Sequence, residues 1–208
     1  MHDQNDNPLA DVVYHDGKWV AVGMDSILFS GDGDNWSEVH VGAELYAVTC
    51  GNGRFLAVGY HTSLYSDDGQ SWTECDSDIR FLAAYGNGRF VAATGNGMVY
   101  STDCTVWNMS EDSFGELKGL EFGEDIFIAS DDTASYYSAD GIHWTQAAGA
   151  TGWTDAAYKN GRFLALSRNN QELLLSSVDG TAWTQSVRVL LDEAGADVTR
   201  DVAALLGM

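Results

Sequence analysis

The pattern Ser-x-Asp-Gly-x-x-Trp recurs five times in this chain, and its spacing constrains the fold more than any other feature. It reads "SGDGDNW" (30–36), "SDDGQSW" (66–72), "STDCTVW" (101–107), "SADGIHW" (138–144) and "SVDGTAW" (177–183). The motif serines stand 36, 35, 37 and 39 residues apart. A second pattern runs in phase ahead of it: "GKWVAVG" (17–23), "GRFLAVG" (53–59), "GRFVAAT" (88–94), "DIFIASD" (125–131) and "GRFLALS" (161–167). Its aromatics are Trp19, Phe55, Phe90, Phe127 and Phe163, each followed two residues later by alanine: Ala21, Ala57, Ala92, Ala129 and Ala165. Two patterns sharing one period mark an internal repeat. Each unit is then one supersecondary element that buries its apolar surface on its neighbours.

Within a unit the pattern is that of strands. In the second, "LYAVTC" (45–50) precedes the hairpin turn "GNG", where Asn-Gly tolerates positive φ. "RFLAVG" (54–59) and "SLYS" (63–66) follow, then the motif turn, then "WTEC" (72–75). Four short strands per repeat of this length specify an all-β chain and a β-propeller. The expectation is five four-stranded blades over about 9–41, 45–76, 80–110, 117–148 and 153–188, after an extension at 1–8. Helical periodicity enters only in the tail, 189–208. There "DVTRDVAALLG" predicts a short helix with Asp197 as N-cap and a stripe of Val198, Val202, Leu205 and Leu206. That stripe either packs on the propeller's rim or docks another subunit. Ring closure is left open between an outer strand added by "SVRVLL" (186–191) and an arc completed by a second chain.

Composition excludes several function classes. The formal charge of −21 repels phosphate backbones and anionic membrane surfaces, so neither nucleic acid nor membrane is expected as a partner. The same acidity suits a salty medium, where carboxylate repulsion is screened. No stretch is apolar enough to span a membrane, and "MHDQNDNPLADVV" lacks the features of a secretory signal. Cys50, Cys75 and Cys104 have no disulfide or zinc spacing, and the five histidines have no metal spacing.

The recurring motif resembles the Asp-box, or BNR repeat, of sialidase-type propellers. Here glycine follows aspartate directly, so the match is nearer to bacterial and phage propeller repeats. The resemblance implies a structural turn made by Ser30, Asp32 and Trp36; Ser66, Asp68 and Trp72; Ser101, Asp103 and Trp107; Ser138, Asp140 and Trp144; Ser177, Asp179 and Trp183. An aspartate in such a turn accepts hydrogen bonds from backbone N–H groups ahead of it. Cys104 replaces glycine in the third copy, so that turn is expected to be strained or rearranged. One carboxylate per motif falls short of the roughly six to eight oxygens of a calcium site, so no metal and no cofactor is expected.

Sialidase chemistry requires arginines converging on a carboxylate. Arg54, Arg89 and Arg162 instead occupy one equivalent place in the repeat, with Lys18 in the first unit, so no catalytic residues are assigned. Turns alternate between the two faces of the disc. The Asn-Gly and motif turns take one, and the irregular loops take the other. On that second face Tyr60, His61, Arg80, Asn96, Trp153, Arg168 and Asn169 form the candidate binding set. The expected function is a non-catalytic structural and recognition module of a tailed-virus particle, contacting other virion proteins or a host-surface glycan or protein. A lectin-like module, virion-borne or extracellular, is the alternative, and an assembly factor a lesser one.

Overall fold

The computed structural model describes residues 8–186, except 76, 96, 113, 150, 151 and 169–173. The tail for which a helix is expected lies outside the described residues. Those residues form 18 strands and no helix.

The first sheet holds β1 (Leu9–His15), β2 (Lys18–Ser30), β3 (Ser37–Gly51), β4 (Arg54–Gly59), β5 (Ser63–Ser66) and β6 (Thr73–Glu74), hydrogen-bonded in that order. The second holds β7 (Ile79–Gly86), β8 (Arg89–Thr94), β9 (Gly97–Ser101) and β10 (Asn108–Met109). The third holds β11 (Gly119–Gly123), β12 (Ile126–Ser130), β13 (Ser135–Ser138) and β14 (Thr145–Gln146). The fourth holds β15 (Trp153–Lys159), β16 (Arg162–Ser167), β17 (Leu174–Ser177) and β18 (Thr184–Gln185). All ladders between these strands are antiparallel.

The expected five separate blades are therefore corrected to four sheets, the first carrying two repeat units. The reason is local. β2 reverses at Asp25, which has a φ of 67°, so that Val20 and Phe29 both meet Gly69, and Met24 at this turn pairs with Glu44 next to the second unit. β3 pairs first with β2, through Ser37–Glu44, and then with β4, through Leu45–Gly51, without a break. The later units are parted by non-strand segments, and their sheets stay distinct.

Tight turns close the hairpin that opens each unit. Asp16-Gly17, Asn52-Gly53, Asn87-Gly88, Glu124-Asp125 and Asn160-Gly161 all have positive φ at both positions. That is the geometry whose twist matches the flanking strands.

The core consists of four clusters, each shared by two consecutive units. Val20, Val22 and Ile27 meet Leu45, Val48, Phe55 and Ala57. Leu56 and Val58 meet Ile79, Phe90, Ala92 and Cys104. Val91, Ala93 and Met98 meet Leu117, Phe127, Ala129 and Trp144. Ile128 and Ala147 meet Trp153, Phe163, Ala165, Leu175 and Trp183. The strand that follows each opening hairpin thus buries one side on the unit before and the other on the unit after. The apolar run "RFLAVG" encodes this by leaving no polar side, as in a strand covered on both faces. Cys50, Cys75 and Cys104 are free. Burial pushes the Cys50 and Cys75 thiols up to about 11, and Cys104 higher still, so these are packing groups rather than nucleophiles.

Candidate functional site

The five motif turns are built alike. The serine hydroxyl oxygen accepts the N–H of the residue three ahead: Gly33 (2.9 Å), Gly69 (2.8 Å), Cys104 (2.9 Å), Gly141 (2.8 Å) and Gly180 (2.9 Å). The aspartate Oδ1 accepts N–H groups two and three ahead. For Asp68 these are Gln70 at 2.8 Å and Ser71 at 2.7 Å. For Asp103 they are Thr105 at 2.9 Å and Val106 at 3.2 Å. These bonds to the charged form hold the Asp68 and Asp103 carboxyls down to about 2. The carboxyls of Asp32, Asp140 and Asp179 are also lowered. For Asp140, hydrogen bonds from the His143 backbone, the His143 ring and the Ile142 backbone outweigh partial burial. The Trp36, Trp72, Trp107 and Trp183 indoles donate to the carbonyl three residues back, at 3.0–3.2 Å. Trp144 donates its backbone N–H to Asp112 at 2.7 Å, and its buried indole N–H has no partner among the described residues.

Of the two outcomes expected at Cys104, strain is seen and rearrangement is not. Its turn keeps the same hydrogen bonds, and the cysteine adopts a φ of 60° that glycine occupies elsewhere. Its fully buried side chain packs with Leu56 and Val58 of the unit before, and this burial offsets the left-handed backbone.

The repeated cations belong to this scaffold. The Lys18 ammonium donates to the Asp67 carbonyl at 3.4 Å, Arg54 to the Asp103 carbonyl, and Arg89 to the Asp140 carbonyl. Each reaches from one unit to the next unit's motif turn. Arg54 also grips the Asp67 carboxylate at 2.6 and 3.0 Å. These side chains are spread from unit to unit and do not converge on a ligand.

The opposite face is different. Strand alternation places the β4–β5 connection and the chain entering β7 there, and it brings Tyr60, His61 and Arg80 together. The Tyr60 and His61 rings are 4.0 Å apart, and Tyr60 stacks on Phe81 at 5.5 Å. Phe81 in turn meets Tyr46 at 5.4 Å. Asp78 ties the group together, accepting two bonds from Arg80 at 3.0 and 2.8 Å and lying 3.6 Å from the His61 ring. The rings nevertheless stay open to solvent: Tyr46 is 41 %, Tyr60 53 % and Phe81 38 % exposed. Phe81 is held at φ 62° and His61 at φ 60°. A bulky residue in that region is uncommon and marks a constrained turn.

Beside the rings lies a cavity of about 450 Å³ lined by Tyr60, Arg80, Phe81, Thr94, Glu116 and Leu117, among others. Lys118 bonds Glu116 at 2.7 Å. Arg168 pairs with Asp132 at 2.6 Å and lies near enough to Glu116 to help lower its carboxyl, after the larger effect of Lys118.

Two members of the candidate set, Asn96 and Asn169, lie outside the described residues. Trp153 is corrected. It is 1 % exposed, wedged over Gly119 and against Trp183, so it is a core side chain with no surface to offer. Tyr46, Phe81 and Glu116 were not in the set. The run "IRFLAAYG" carries no signal for Phe81, because the slip of register between Ile79 and Ala83 that accompanies its exposure is seen only in the structure.

A second cavity of about 550 Å³ lies along the axis, between β1, β3, β7, β11 and β15. Three carboxylates line it: Asp11, Glu121 and Asp155. Asp11 accepts the Val48 N–H at 2.9 Å. Burial, with smaller contributions from the Asp155 and Asp11 charges, pushes the Glu121 carboxyl up to about 6. Among the described residues no cluster of His, Cys, Asp and Glu has the arrangement of a metal site, and no helix is long and apolar enough to cross a membrane.

No family model matches this chain, and no curated protein does. Solved structures do. The Pan2 WD40 domain of Neurospora crassa superposes with a TM-score of 0.64 at 11 % identity, over 94 % of this chain and 72 % of that one. YCF48 from Cyanidioschyzon merolae gives 0.60 at 12 %, over 93 % and 94 %. An ancestral GH74 enzyme gives 0.65 at 13 %, over 86 % of this chain and 31 % of that one. At these identities the likeness is one of architecture, and the architecture is a β-propeller.

Proposed function

We propose that this chain is a non-catalytic recognition propeller that binds a partner protein on the face carrying Tyr46, Tyr60, Phe81 and Arg80. One observation carries the reading: three solvent-open rings stack in a row beside a cavity of about 450 Å³ that Arg80 also lines. Tyr and Arg, with their large rigid contact area and forked donors, are enriched among the residues that dominate binding energy at interfaces. The repeated cations are occupied in holding units together, so no catalytic role is assigned to them. The test is cross-linking capture with the wild-type protein and a Tyr60→Ser/Phe81→Ser variant of equal melting temperature. Loss of the cross-linked partner in the variant supports the reading, and equal capture refutes it.

The exposed Tyr60 and Phe81 rings also favour a second reading, a sugar stacked on them. Binding of the isolated protein to one glycan class on an array, abolished by Tyr60→Ser, would move the proposal to a lectin. Placement in a tailed-virus particle rests on the resemblance of the repeats. Mass spectrometry of purified particles tests it, and absence of the protein from them rules it out.

A further inference from the structure

The four internal interfaces define what each side of a unit packs against, and among the described residues the two end units each have one side left over. At the position of Trp19, the equivalent aromatics Phe55, Phe90, Phe127 and Phe163 are at most 1 % exposed, whereas Trp19 is 37 % exposed. Trp36 is 40 % exposed, whereas its equivalents Trp72 and Trp107 are half-buried and Trp144 and Trp183 are 8 % and 3 % exposed. Leu9, Val12, Met24 and Tyr14 lie open around them, and an apolar groove of about 510 Å³ runs between Leu9, Val12, Ala21, Leu28 and Trp36. Gly33 is the one motif glycine whose missing Cβ points at no preceding unit. Gly69 meets Val20 and Phe29, Gly141 meets Val91, and Gly180 meets Ile128, but Gly33 has only Trp19 of its own unit at 3.6 Å.

The far end is the mirror of this. Leu164 is 45 % exposed, whereas Val20, Leu56, Val91 and Ile128, which hold the same register, are fully buried. Leu166 is 43 % exposed at the register of Val22 and Val58, which are also fully buried. A groove of about 260 Å³ lies over Ala157, Leu164, Leu166 and Leu174. Arg162 holds the place from which Lys18, Arg54 and Arg89 reach the next unit's motif turn, and among the described residues it has no such turn to reach.

We infer that copies of this chain associate head to tail, the open side of the fifth unit in one copy packing on the open side of the first unit in the next. The occupant follows from the internal interfaces. The side bearing Leu164 and Leu166 is the kind that buries a motif tryptophan and an aromatic at the Trp19 position. The one such aromatic side left open among the described residues is that of the first unit. Leu164 and Leu166 would then cover Trp19 and Trp36, and Arg162 would donate to the carbonyls of the 30–36 turn. The contact is heterologous, so it closes into a ring or continues as a chain according to its rotation.

Sedimentation of the full chain tests this at a salt concentration that screens its −21 charge. The expected result is concentration-dependent assembly. Trp36→Asp and Leu166→Asp should each give a monomer at every concentration, and an equimolar mixture of the two variants should give dimers and nothing larger. In the mixture one intact head meets one intact tail. A wild-type protein that stays monomeric, or two variants that fail to pair when mixed, overturns the inference. An Asn108→Asp control, which adds the same charge on the exposed strand β10 and outside both grooves, should assemble as the wild type does. Its failure would show that assembly follows net charge rather than these faces, and would equally overturn the inference.

Discussion

If each motif turn docks on the unit before it, the same substitution should cost different amounts at its first and later copies. Gly33→Ala and Gly141→Ala make that comparison. Both glycines are left-handed, at φ 82° and 71°. Placing alanine there costs about 1–2 kcal/mol in backbone strain, less about 0.4–1 kcal/mol from the stiffer unfolded chain. Gly33→Ala should therefore lose about 1 kcal/mol, since the new methyl comes no nearer than 3.6 Å to Trp19. At Gly141 the methyl would lie 2.4 Å from the Val91 Cγ2 and 3.3 Å from the Phe127 ring. Forcing the neighbour aside adds about 1–3 kcal/mol of overpacking, for a total of about 2–4 kcal/mol. Urea unfolding of dilute protein, with slopes compared to confirm a common unfolded state, gives the difference. Calorimetry should show it as about 2–4 °C per kcal/mol in a chain of this length. Equal losses at the two positions would refute the docking of the turn on its neighbour.

Asp68→Ala removes the acceptor for two backbone N–H groups and should cost about 0.5–2 kcal/mol, as loss of a helix N-cap does, with partner capture on the opposite face unchanged; lost capture at unchanged stability would reverse the assignment of the turn as scaffold. The motif carboxyls have folded values below their unfolded ones, near 2 for Asp68 and Asp103. Their contribution is therefore present above pH ~4 and lost as pH falls toward 2, which an acid titration followed by tryptophan fluorescence should show. Glu121 has the opposite sign. Its folded value of about 6 exceeds the unfolded one, so its ionisation weakens the fold as pH rises from about 4.5 through 6. Glu121→Gln should raise stability at pH 7.5 by about 1 kcal/mol once solvent screening in the channel is allowed for; no gain would show that burial in the channel does not penalise the charged carboxylate. Added NaCl should raise the melting temperature by screening the −21 charge, and a melting temperature that falls with salt refutes that reading.

The local structure was legible because it is made by neighbours in sequence. Ser66, Asp68 and Gly69 close their turn with bonds that span two or three residues, so seven letters suffice to specify it. The Asn-Gly hairpins and the doubly buried "RFLAVG" strands are of the same kind. The face carrying Tyr60, His61 and Arg80 was legible too, since strand alternation alone sends it away from the motif turns. Trp153 was misread because a tryptophan next to a loop looks like a surface group until Gly119 of the preceding unit proves to be its floor. Phe81 was missed because a slipped register cannot be read from alternation.

By itself the sequence determined the repeat, its period and the closure of the glycine-bearing motif turns by their serine and aspartate, because these depend on contacts within one unit. Only the tertiary structure decided which copies of a position are buried, since that depends on a neighbour that the end units lack among the described residues. Trp36 and Trp183 occupy equivalent places in the repeat, yet one is 40 % exposed and the other 3 %. The same dependence on neighbours joined the first two units in one sheet, where β3 passes from its pairing with β2 to its pairing with β4.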